Sequence, residues 1–323
     1  MNSVTPEQIS LWSKLGPRAV YGQTVQNLIE SNCSVIALSA DLGSSSGLDR
    51  LRRSNPDKLI NVGIAEQCLV GFSAGLAKEG LVPFASTFAP FATMRAAEQI
   101  RMNLGYMNLN VKLVGIGSGL SMGFLGNSHY GLEDIAIMRT VPGMTILSPA
   151  DCFEVVKCVE HAAQLIGPTY IRLTGLPNNP IVYDSDYDFK IGKAIRFGDG
   201  EDIAIIATGS MVWHALETSK LLQNFNVNSS IFNFHTLKPL DLDTLDKVVS
   251  SFKRIVTVEE HSEIGGLGST ITQYFANKKL KPEILVLGLP DDFGPTGNYE
   301  YLLSFHELNS ISIARKVQHF FQF

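Results

Sequence analysis

Short, unbroken apolar runs recur along this chain, and few folds accommodate them. Ser34–Ala40 reads Ser-Val-Ile-Ala-Leu-Ser-Ala, and similar runs stand at Val111–Gly115, Tyr170–Leu173, Asp202–Thr208, Arg254–Val258 and Glu283–Leu287. A run of this length without polar alternation suits a strand covered on both faces, the usual condition in a parallel sheet. Helical periodicity fills the intervals, over 18–31, 91–103, 132–140, 151–165, 269–275 and 312–321. Strand and helix in alternation predict two doubly wound α/β domains with mainly parallel sheets, the second smaller than the first. The Pro- and Asp-containing stretch between Pro177 and Phe189 breaks the rhythm and reads as a linker. The expected division is 1–180, a linker at 181–190, and 191–323. A length of 323 residues gives each half enough chain for its own core.

Charge and composition narrow the functional classes. A formal net charge of −5 provides no electrostatic footprint for nucleic acid or an anionic membrane. No apolar run reaches the roughly 18 residues that span a bilayer. Met1 to Leu11 lacks a basic segment followed by an apolar core, so a cytoplasmic location is expected. The four cysteines, at 33, 68, 152 and 158, have no paired-ligand spacing and are expected to be reduced and mostly buried.

Parallel sheets bind ligands past the C-terminal ends of their strands, and several chemically capable residues fall there. Asp41 follows the first run. Glu66 lies in Asn-Val-Gly-Ile-Ala-Glu-Gln, in the first turn of a helix after a short strand near Lys58–Ile60. The helix dipole favours an acid in a first turn. Flanking Ile64, Ala65, Cys68 and Leu69, however, suggest a buried one, and a buried carboxyl must find a partner or hold a proton. Phe88, Phe91 and Met94 line a strand-to-helix junction, and His129 occupies the loop Asn-Ser-His-Tyr-Gly. Two glycine patterns carry less. The loop 115–126 contains neither a dinucleotide fingerprint nor a GK[ST]. Gly198-Asp199-Gly200 with Asn226 imitates a magnesium–diphosphate signature, but it precedes a strand and reads as a turn.

Together these segments resemble the transketolase family. Asp41 after Leu-Ser-Ala, Asn-Val-Gly-Ile-Ala-Glu-Gln, Thr-Phe-Ala-Pro-Phe, Asn-Ser-His-Tyr-Gly-Leu-Glu-Asp and Pro-Gly-Met-Thr-Ile-Leu-Ser-Pro-Ala-Asp look like its pyrimidine-binding domain. Ala-Thr-Gly-Ser, His-Thr-Leu-Lys-Pro-Leu-Asp and Val-Glu-Glu-His-Ser-Glu-Ile-Gly-Gly look like its smaller, Rossmann-like C-terminal domain. The resemblance implies thiamine diphosphate as cofactor. Glu66 then matches the glutamate on the cofactor's ring nitrogen, Phe88 and Phe91 its aromatic wall, and Asp41 an acid near it. Met94 stands where a third aromatic is common. His129 matches a histidine facing the donor's carbonyl and hydroxyls.

The same resemblance assigns Arg18 and Ser45 to the acceptor's phosphate and offers Arg172 as a second arginine. A further phosphate-binding histidine aligns with Gly117 or Ser118. Leu125 stands where the family has an aspartate that reads a sugar hydroxyl, which leaves the donor open. The domain that holds diphosphate and Mg2+ has no counterpart here. The resemblance therefore implies the C-terminal subunit of a split transketolase, metal-free in itself and active with an N-terminal subunit, as an α2β2 heterotetramer. A deoxyxylulose-phosphate synthase-like enzyme, the β subunit of a 2-oxo acid dehydrogenase and a non-catalytic assembly subunit are the alternatives.

Overall fold

The computed structural model describes residues 4–323. Strands β1 (Val35–Ser39), β2 (Leu59–Asn61), β3 (Val82–Phe88), β4 (Lys112–Ser118), β5 (Thr145–Leu147) and β6 (Thr169–Thr174) pair in parallel in one sheet. Beyond them follow β7 (Ile195–Phe197), β8 (Ile203–Ala207), β9 (Ser229–Asn233), β10 (Thr236–Lys238), β11 (Arg254–Ser262) and β12 (Glu283–Leu289). The second sheet has the order β12-β11-β8-β9-β7, parallel except where the short β7 runs antiparallel to β9. Two mainly parallel α/β layers are thus present. Every residue of β1, β4, β6, β8 and β9 is buried, the condition that suits the apolar runs within them.

One strand changes sides. β10 belongs to the second half of the chain but adds antiparallel to β5, giving the first sheet the order β10-β5-β6-β4-β3-β1-β2. Three residues carry no readable periodicity, so the sequence does not announce this strand. The segment read as a linker is also packed. Tyr183 and Phe189 are buried, and Asp151, which caps the helix Cys152–Gln164, accepts hydrogen bonds from the Val182 and Tyr183 amides. The Gly198-Asp199-Gly200 triplet is the turn between β7 and β8, with Gly198 in the left-handed region and the Asp199 side chain in solvent.

Two expectations require correction. Cys33 and Cys68 are exposed and only Cys152 and Cys158 are buried. The stretch 91–103 is helical but not as one α-helix. It forms π-helical turns at Phe91–Arg95 and Ile100–Tyr106 around a short α-helical piece. Such wide turns often mark functional positions.

Candidate active site

Because β1, β2, β3, β4 and β6 are parallel, their C-terminal ends share one edge of the sheet. Asp41, the loop to Glu66, Phe88, the 119–131 loop and Gly175 all emerge there. The helix Pro17–Ser31 precedes β1 and runs back along the sheet, which places its N-terminus at the same edge. Topology alone therefore collects most of the residues singled out in the sequence.

Glu66 opens the helix Glu66–Lys78 and is 2% exposed. Its inner neighbours Leu69, Val70, Ser73 and Ala74 pack inward. Ile64, Cys68 and Phe72 face outward, against the expectation that the whole surroundings are buried. The helix is apolar on two faces, and this chain covers one of them. The carboxylate is partnered by Arg95, whose Nη1 donates to Oε2 at 2.8 Å. Arg95 was not singled out in the sequence. It lies on the next connection, and no spacing rule links positions 66 and 95.

Phe88, Phe91 and His129 form a cluster of edge-on rings. Centroid separations are 6.2 Å for the two phenylalanines, 5.6 Å for Phe88 with His129, and 5.2 Å for Phe91 with His129. Edge-to-face packing of this kind fixes ring orientation. The His129 Nδ1 lies 2.9 Å from the Ser128 hydroxyl. Its loop is held from the second half of the chain, where Pro295 O accepts from the Tyr130 hydroxyl and Gly294 O from Asn127. Met94 is half-exposed beside this wall, and Phe124 and Leu125 are also open to solvent. Gly117 backs the cluster with a positive φ of 64°, and a Cβ there would meet the Phe88 ring at 3.2 Å and Met122 more closely still. Ser118 is buried and donates to Gly115 O. Neither position presents a side chain to an anion.

Asp41 is exposed and lies in the left-handed region at φ 58°. The Asn61 amide at the end of the neighbouring strand holds it there.

A separate hollow of about 310 Å³ gathers Arg18, Ser44, Ser45, Gly47 and the Gly175–Pro177 turn. Gly47 makes this possible. Its φ is 73°, and a Cβ there would lie 2.3 Å from Arg18 O, so only glycine lets the helix N-terminus come this close to the serine loop. Burial lowers the Arg18 pKa, and no carboxylate or hydroxyl among the described residues bonds its guanidinium. The positive end of the helix dipole beside an arginine with no such partner makes a site suited to an oxyanion.

Arg172 does not join that hollow. It is 2% exposed, and its donors are directed to Asp134, Thr174, Gly131 O and Glu260 O. The reason is its place inside β6, where the strand is covered on both faces. Around it, Glu260 accepts from the Leu120 amide and the Ser210 and Tyr299 hydroxyls, tying the 119–131 loop to the second sheet.

Comparison with known proteins identifies the family. The family described as "Transketolase, pyrimidine binding domain" matches residues 13–175, and "Transketolase, C-terminal domain" matches 192–313. One of the subunits of an apulose-4-phosphate transketolase from Phocaeicola vulgatus is 33% identical over 94% of this chain and 96% of its own. A 6-deoxy-6-sulfo-D-fructose transketolase subunit from Clostridium sp. (strain MSTE9) is 34% identical over 92% of each chain. The solved structure titled "Split gene transketolase, inactive beta4 tetramer" superposes with a TM-score of 0.85 at 34% identity, covering 94% of this chain and 97% of that one. This chain belongs to the transketolase family and corresponds to the C-terminal section, pyrimidine-binding domain plus C-terminal domain, that split members carry as a separate subunit.

Proposed function

We propose that this chain is the pyrimidine-side half of a thiamine diphosphate-dependent transferase that moves a two-carbon ketol unit to an aldehyde acceptor. The observation that carries the reading is the Arg95 guanidinium. Its Nη1 touches Glu66 at 2.8 Å and its central carbon lies 4.2 Å from the Phe91 ring centroid, so one planar group reaches both the buried carboxylate and the aromatic wall. A carboxylate and an aromatic face reached by one planar group support a stacked aminopyrimidine at this place. When bound, thiamine diphosphate supplies the electron sink for the transferred carbanion.

The residues of this chain then take distinct tasks. Glu66 shares a proton with the pyrimidine ring nitrogen from a position closed to water. Phe88 and Phe91 orient the ring, Met94 closes it more softly, and Asp41 flanks it. His129 moves a proton at the donor's hydroxyl or carbonyl. Arg18 and Ser45 hold the acceptor's phosphate, the guanidinium matching its geometry. Leu125 reads no hydroxyl, so the donor need not be the usual ketose phosphate.

The diphosphate-binding domain and Mg2+ come from an N-terminal partner chain, in an α2β2 assembly. The exposed apolar stripe of Ile64, Cys68 and Phe72 beside Glu66, with open space at Gly71 and Gly75, supports a covering partner at this edge. Domain limits of 1–180 and 191–323 suit this division of labour.

The test is reconstitution with the partner. Ketol transfer should need both chains, and Glu66→Ala should lose most turnover at saturating cofactor. Full activity of the chain alone would remove the two-chain reading, and an unchanged kcat in Glu66→Ala would remove its assigned role.

A further inference from the structure

Arg95 makes two contacts at once, one with a carboxylate and one with an aromatic ring. Its Nη1 donates to Glu66 Oε2 at 2.8 Å, and its guanidinium carbon stands 4.2 Å from the centre of the Phe91 ring. The two partners of the ion pair are unequally placed. The Glu66 side chain is 2% exposed, whereas Arg95 keeps 47% of its side-chain surface in solvent. A carboxylate so deeply set is costly to leave unpartnered, so some donor must always face it. In the chain by itself that donor is Arg95.

A guanidinium is planar, stacks on aromatic faces and donates N–H to a carboxylate. An aminopyrimidine ring is also planar, stacks on the same kind of face and shares a proton with the same kind of oxygen. The two groups compete for one face of Phe91 and one oxygen of Glu66. We infer that Arg95 is a stand-in for the cofactor's pyrimidine, seated while the site is cofactor-free and displaced outward on loading. The inference rests on the thiamine reading above. The exposure of Arg95 gives its side chain a path into solvent without movement of the sheet. Its place at the end of the π-helical segment Phe91–Arg95 joins it to the aromatic wall through four residues.

Two consequences distinguish a stand-in from an ordinary salt bridge. Glu66 is never without a partner, which protects the chain ahead of assembly. The cofactor must also displace a bound group, so its apparent affinity falls in proportion to the fraction of chains in which Arg95 is seated.

The experiment is calorimetric titration of thiamine diphosphate into the complex with the N-terminal subunit, using wild type, Arg95→Met and Arg95→Lys. Methionine removes the competing donor and keeps the bulk. Lysine keeps the charge on Glu66 but cannot stack, which preserves folding if the methionine variant is unstable. Binding should tighten by about fivefold or more in Arg95→Met and by a smaller factor in Arg95→Lys, as the competent fraction rises. Unchanged or weaker binding in both variants, with the wild type binding normally, overturns the inference alone. No binding by the wild-type complex overturns the thiamine reading and the inference with it.

Discussion

Asn61 and Asp41 clasp each other across the C-terminal ends of two neighbouring strands. The Asp41 amide donates to Asn61 Oδ1 at 3.0 Å, and Asn61 Nδ2 donates to Asp41 Oδ1 at 2.9 Å. The same Asn61 Oδ1 also accepts from the Gly63 amide at 3.0 Å, on the turn that leads to Glu66. One side chain thus sets the loop bearing Asp41 and the loop bearing Glu66. It also holds Asp41 at φ 58°, a conformation that costs a non-glycine residue about 1–2 kcal/mol.

Replacement of this amide should therefore act on the cofactor more than on the fold. Asn61→Asp substitutes a carboxylate that repels Asp41 and cannot donate to it. The expected result is a raised KM for thiamine diphosphate in the assembled enzyme, with stability down by only about 1 kcal/mol because both side chains are exposed. Unfolding in urea and cofactor titration measure the two effects separately.

Gly47 supports a second prediction, on the phosphate side. Gly47→Ala places a Cβ 2.3 Å from Arg18 O and 2.9 Å from Ala19 Cα, in a backbone conformation that alanine disfavours. The Pro17–Ser31 helix must retreat from the serine loop. We expect destabilisation of more than about 2 kcal/mol and weaker use of phosphorylated acceptors over unphosphorylated ones. Retained preference for the phosphorylated acceptor would show that the hollow is not read by the substrate.

Acid sensitivity follows from a buried histidine. His235 is fully buried, stacks on Phe189 at 4.3 Å and leaves its Nε2 without a partner among the described residues. Burial pushes its pKa down to about 4. A histidine depressed in this way favours the folded state above pH 6.5, and that contribution is lost as pH falls toward 4. Buried Glu154 acts in the opposite sense. Burial raises it to about 7, so its contribution is complete at low pH and fades as pH rises toward 7. The two slopes partly cancel in the wild type. His235→Phe removes one of them, and stability should then fall less steeply between pH 6.5 and 4, by about 2–3 kcal/mol over the range. Denaturant unfolding at several pH values checks the difference.

Sequence patterning foretold most directly the apolar strands that bury both faces. β1, β6 and β8 agree with the runs read at Ser34–Ala40, Tyr170–Leu173 and Asp202–Thr208 within a residue at either end. The helices Pro6–Leu15 and Leu242–Ser251 and the short strand β10 were not among the elements read, the strand because three residues carry no period. At the candidate site, the residues that sit past strand ends were legible because topology puts every such end on one edge. What was not legible depends on side-chain direction. Ile64 and Cys68 look like core in a linear reading and are exposed in the fold. Arg95 looks like a helix-surface charge and is the partner of Glu66.

The two arginines that the family resemblance groups as phosphate ligands should separate cleanly by experiment. Arg18 lines the hollow with no side-chain hydrogen bond or ion pair among the described residues, so Arg18→Met breaks no such bond there. Arg172 and Asp134 form an ion pair buried at 1% and 0% side-chain exposure, and the arginine also spans to the carbonyls of Gly131 and Glu260. Removing one member of a buried pair strands the other and costs about 3–5 kcal/mol. Arg172→Met should therefore lower the unfolding free energy by that order, and Asp134→Asn in the same chain should recover part of it, since the two changes act on one contact. Arg18→Met should leave the unfolding curve in place and raise KM for a phosphorylated acceptor at least tenfold, about 1.4 kcal/mol of lost anion binding. A loss of stability in Arg18→Met with no change in KM would mean that the hollow is a packing feature. A raised KM in a stably folded Arg172→Met would return that arginine to the substrate.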